Sequence, residues 1–83
     1  MLELYQRIAL RRDLPEHGLK TGDVAMLIDY VPHPDGGTED CVLEIFNALG
    51  ESIDVVIVPV SDVKALQADE VMTVRSLSQT ASL

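Results

Sequence analysis

The sequence predicts an all-β domain, five short strands curling into a small barrel around one aliphatic core. Three observations carry this. Short runs rich in Val, Ile and Leu are separated by clusters of Gly, Pro, Asn and Asp that act as turn punctuation. With 83 residues the chain has room for a single core, to which every apolar run must contribute. No internal repeat and no heptad pattern points to helices.

The organising stretch is DLPEHGLKTGDVAMLIDY, Asp13 to Tyr30, a turn that launches a strand. Leu14 precedes Pro15 and so avoids helix, and Gly18 and Gly22 offer positive φ. The apolar run then starts at Val24. Ahead of this stretch, Leu2 to Leu10 fits a short helical face or a strand, and a strand over Gln6 to Arg11 is expected because so short a helix is marginal alone. Arg12 to Asp23 reads as a loop with Leu19 as its apolar anchor.

Val24 to Val31 is the second strand, ending at Pro32, and PHPDGGTED is a connector with nothing to bury, expected to be mobile. Cys41 to Phe46 alternates as a third strand. Asn47, Ala48, Leu49 and Gly50 then supply a hairpin turn into a fourth strand, Ile53 to Val58, which stops at Pro59. Ser61 and Asp62 can cap one helical turn over Val63 to Leu66. Glu70 to Arg75 alternates as a fifth strand. The barrel domain is thus expected over residues 1–76, with 77–83 a fraying tail.

Composition narrows function. Hydrophobic residues make up 47% and charged residues 24%, a globular balance. Fourteen acidic against six basic side chains leave a net charge of −8, which repels a phosphate backbone, and three aromatic residues with no Trp provide little for bases to stack on. Direct nucleic-acid binding is not expected. The lone Cys41 forbids an internal disulfide, so a reducing, cytoplasmic setting is the simplest home. No run reaches the roughly 18 apolar residues of a membrane span. A membrane partner is not expected either.

Five strands, a central hairpin and one helical turn before the last strand is the order of an SH3-like barrel. The run RIALRRDLPEHGLKTGDVAMLIDY, with CVLEIFNALGESIDVVIVPVSDV after it, resembles a bacterial family of short SH3-like-barrel proteins of unknown function. Its pattern runs ELYQ, a strand, RDLPEHGLKAGDVGTVV, a strand like EVEFFDADGET and a closing turn like LPAEDL. The likeness spans Glu3 to about Val63. Two departures are Ala25, where the family often has Gly, and the longer chain from Lys64 onward. Some members of that family are similar to small proteins encoded beside toxins, and the resemblance implies a partner-binding role of that kind.

Chemistry-bearing clusters are few. Asp13, Glu16 and His17 lie within five residues but read as turn chemistry, with Asp13 accepting backbone N–H bonds and His17 half exposed. His33, Asp35, Glu39 and Asp40 lack the alternating oxygen ligands of a calcium loop. Cys41 reads as a buried small hydrophobe. With no nucleophile triad, phosphate loop, paired metal ligands or dinucleotide motif, no catalytic residue, cofactor or metal is expected.

One face is different. With Cys41, Leu43 and Ile45 inward, and Ile53, Val55 and Ile57 taken as inward too, the opposite parity shows Val42, Phe46, Val56 and Val58 among Glu44 and Asp54. Together with Asp29 these residues are the candidate partner-binding surface, apolar anchors within an acidic rim. The expected function is a non-enzymatic acidic protein-interaction module, an antitoxin or immunity-like partner of a basic toxin. The alternative is a structural accessory domain or homo-oligomer subunit.

Overall fold

A computed structural model describes residues 2–33 and 36–77 of the chain. It is all-β: β1 Arg7–Leu10, β2 Val24–Val31, β3 Asp40–Phe46, β4 Ser52–Pro59 and β5 Val63–Ala65 form one antiparallel sheet in the order β4-β3-β2-β1-β5. Its helical elements among the described residues are two three-residue 3-10 turns, Pro15–His17 and Val60–Asp62. Five strands with a helical turn before the last are present, the first four where the sequence placed them. Closure into a barrel is not: β4 and β5 end the order, with no ladder joining them.

Local chemistry sets each connection. Between β3 and β4 the Asn47 side-chain oxygen accepts the Leu49 and Glu51 N–H groups at 3.0 and 2.9 Å, and its amide donates to Glu51 Oε1 at 2.7 Å. Gly50 takes φ +83°, which a turn this tight requires of a residue without Cβ. Between β1 and β2 the loop is itself a folded hairpin. Leu14 and Leu19 exchange backbone bonds of 2.9 and 3.1 Å, and both are buried in the core. Gly18, at φ +71°, turns the chain between them, and Asp13 accepts the Thr21 N–H and hydroxyl at 2.8 and 2.9 Å.

The passage from β4 to β5 is stitched to both sides of the sheet. Val60 N–H donates to the Glu39 carbonyl at 3.0 Å and Arg11 N–H to the Asp62 carbonyl at 2.7 Å, while the Asp62 carboxylate pairs with Arg12. At the N-terminus the Tyr30 hydroxyl donates to the Leu2 carbonyl, and Tyr5 sits at φ +66° with its N–H on the Leu27 carbonyl.

The core is a set of cross-strand rows, since residues directly opposite in an antiparallel pair share a face. Leu27, Leu43 and Val56 stand side by side over three strands; Ile8 faces Ala25, Leu10 faces Val63, and Cys41 faces Val58. All nine are buried. Bulges interrupt two ladders, at Leu27/Asp29 and at Ile45/Phe46, each adding one residue to one strand.

Two expectations from the sequence are corrected. The last strand is Val63–Ala65, not Glu70–Arg75, and the helical turn is Val60–Asp62, not Val63–Leu66. The free edge of β1 accommodates one partner, and Val63, buried against Leu10, takes it. Residues 66–77 form no strand. Of the expected fraying tail, residues 78–83 lie outside the described residues, as do Pro34 and Asp35 of the connector expected to be mobile.

Candidate functional site

Register determines what β4 shows to solvent. Val58 is opposite Cys41 and Val56 opposite Leu43, and since both β3 residues point into the core, their partners must as well. Val56 is 2% and Val58 3% exposed. The assignment of these two valines to the outer surface is therefore wrong; Ile53, Val55 and Ile57, taken as inward, are the exposed set at 42%, 51% and 62%.

The outer face is then a short grid. Val42 lies between Asp29 of β2 and Ile57 of β4, and Glu44 lies between Met26 and Val55. Phe46, opposite Ser52 beyond the bulge, is exposed, and Glu44 accepts the Ser52 hydroxyl at 2.6 Å. Asp29, Val42, Glu44 and Phe46 are thus brought together as expected from the sequence. Asp54 is not among them. It is opposite the buried Ile45, and its carboxylate accepts the Val55 N–H at 2.8 Å and lies 3.1 Å from His17 Nδ1, tying the β1–β2 loop to the hairpin.

Charge is segregated along the chain. All six Lys and Arg residues, Arg7, Arg11, Arg12, Lys20, Lys64 and Arg75, lie outside residues 21–63, which hold nine of the fourteen acidic residues. Three of the six cations are already paired locally, Arg12 with Asp62, Lys64 with Glu70 and Arg75 with Asp23. The hydrogen bond and Coulomb attraction of Asp62 raise the Arg12 pKa, and the Asp23 carboxylate raises that of Arg75. No Lys or Arg belongs to β2, β3 or β4, so their outer face presents anions and aliphatic side chains. This bias is legible in the sequence as a forty-three-residue interval without Lys or Arg, a signal that total charge conceals.

The remaining chemistry is local. Bonds from the Thr21 backbone and hydroxyl hold the Asp13 carboxyl below its ordinary range, which is the turn role expected of it. His33 Nε2 lies 3.4 Å from Asp40 Oδ1, and Asp35 of that cluster lies outside the described residues. Cys41 is fully buried, and desolvation, with Asp40 and Glu39 nearby, pushes its thiol pKa up. Among the described residues no group of three His, Cys, Asp or Glu side chains converges, and no helix is long and apolar enough to cross a membrane.

No protein-family model matches the chain, and no curated protein or solved structure matches it.

Proposed function

We propose that this chain is a protein-interaction module that binds rather than catalyses, receiving on the outer face of β2, β3 and β4 a protein surface of apolar side chains edged by Lys and Arg. The observation that carries the reading is the pair Val55 and Ile57, open to solvent next to half-buried Val42 and beside Asp29 and Glu44, in an interval without a single Lys or Arg. Apolar anchors that lose water completely supply most of the affinity in such an interface, and the acidic rim accelerates encounter and selects a basic partner. The likeness to a family with members similar to toxin-associated proteins suggests a basic toxin as that partner, and the lone reduced Cys41 favours a cytoplasmic setting.

Co-expression with the products of adjacent genes, followed by affinity measurement on any complex recovered, tests this. Ile57→Asp should weaken binding at least tenfold, and Glu44→Lys a few-fold, with a shallower dependence on salt. A complex indifferent to both substitutions would place the interface elsewhere, and failure to recover any complex would remove the toxin-partner reading.

A further inference from the structure

The β4 strand has a second unmet requirement, separate from its side chains. It ends the strand order, so one edge of an eight-residue strand carries no ladder, and that edge is rich in β-branched residues and holds no Lys. Long apolar edges of this kind are templates for another strand. Among the described residues, Pro59 and the Asp54 carboxylate on the Val55 N–H guard it.

The same chain also carries a strand without a sheet. Val71 to Leu77, VMTVRSL, has three β-branched residues and no Gly or Pro, yet it forms no backbone–backbone hydrogen bond among the described residues. Val71 is 87% and Val74 89% exposed. Both ends of the segment are anchored, by Lys64 to Glu70 and by Arg75 to Asp23, with Arg75 also donating to the Gly18 carbonyl at 3.1 Å. A segment held at both ends has already lost part of the freedom that pairing would cost. Val71 to Leu77 brings no acid to oppose the single acid of β4, and its one cation, Arg75, is held by Asp23, so the pairing rests on backbone groups and apolar side chains.

We infer that Val71–Leu77 of one copy adds as a further strand to the free edge of β4 in a second copy, the exchange running both ways about a two-fold axis. Reciprocal exchange satisfies both edges and closes the assembly, whereas a one-way addition would propagate as a filament. The inference is independent of the partner-binding face, because it uses the backbone edge and a segment outside that face.

Mass in solution across a concentration series tests it, by sedimentation or light scattering on the full chain. The expected result is a rise from one 9.1 kDa chain toward two, favoured by salt, which screens the −8 charge on each copy. Salt should weaken the binding of a basic partner, so the two associations are distinguishable. Val71→Asp with Val74→Asp, and separately Ile53→Lys on the edge, should each raise the dimer Kd at least tenfold. All three positions are exposed, so unchanged urea midpoints would confirm intact folding. Mixing the two variants should recover part of the mass, because the intact segment of one meets the intact edge of the other. A single-chain mass at every concentration would overturn the inference. So would wild-type association in the doubly substituted segment, which would mean that edges pair with each other, or a mixture that stays monomeric.

Discussion

Val56→Thr and Ile57→Thr form a matched pair that tests the register of β4. Both replacements keep a β-branched side chain, so strand propensity is nearly constant and burial is the difference. At position 56 the new hydroxyl would sit beside Leu43 in an apolar site, the side chain of Val56 being 2% exposed. A buried hydroxyl with no partner costs about 1–3 kcal/mol, and replacing a buried methyl forfeits roughly 0.8 kcal/mol of transfer energy, so a loss of about 2–3 kcal/mol is expected. A domain of this length has roughly 4–12 kcal/mol in total. The melting temperature should then fall by about 10–20 °C. Ile57→Thr, at a site 62% exposed, should stay within about 0.5 kcal/mol of the parent. Urea unfolding followed by circular dichroism measures both, since the chain has no Trp, and a common m-value is required for the comparison. If Ile57→Thr proved the more damaging of the two, β4 would be inverted and the outer-face reading would fail with it.

Gly18→Ala should destabilise by about 1–2 kcal/mol, because φ +71° is costly for a residue with Cβ, and urea midpoints would show it. Acid should act through Asp13 and Glu70, whose carboxyls are held below their ordinary 3.8 and 4.5, Asp13 by Thr21 and Glu70 by Lys64 and then the Gln67 N–H. A lowered folded-state pKa gives stability that is present above those ordinary values and lost as pH falls through the lowered ones. Thr21→Val, which removes the hydroxyl bond to Asp13 but keeps the larger backbone one, should therefore flatten part of the decline in stability below about pH 4 in an acid titration followed by circular dichroism. Cys41 should react with a thiol reagent in native buffer far more slowly than in urea, its thiolate being disfavoured by burial; equal rates would show the strand opening freely.

Much of the fold was legible because long apolar runs bounded by turn residues leave little choice. Val24–Val31 is β2 to the residue, and Cys41–Phe46 and Ile53–Val58 lie within one residue of β3 and β4 at each end. Orientation within β4 was not legible. Both alternating sets of IDVVIV are aliphatic, so composition does not distinguish the faces, and the Asn47 turn and the bulge near Ile53 decide which set meets Cys41 and Leu43. The last strand was hidden for the opposite reason: three residues carry no periodic signal, while Glu70–Arg75 alternates well but pairs with neither end strand of its own sheet. For the candidate surface, Val42, Glu44 and Phe46 followed from β3 parity, Asp29 stood out as the one charge in the apolar run of β2, and Val55 and Ile57 were lost with β4 parity. The His17–Asp54 contact spans 37 positions and could come only from the folded chain.

The pairing of Ile8–Leu10 with Val63–Ala65 has a consequence for biosynthesis. A ribosome has to release nearly the whole domain before the first strand can meet its outer neighbour, whereas the meander from β2 to β4 joins nearest neighbours and can assemble on the emerging chain. Closing so long a loop late is slow compared with hairpin formation. Until that docking step, Ile8 and Leu10 lack part of their cover, and the nascent polypeptide is most exposed to proteases and to chaperones in this interval.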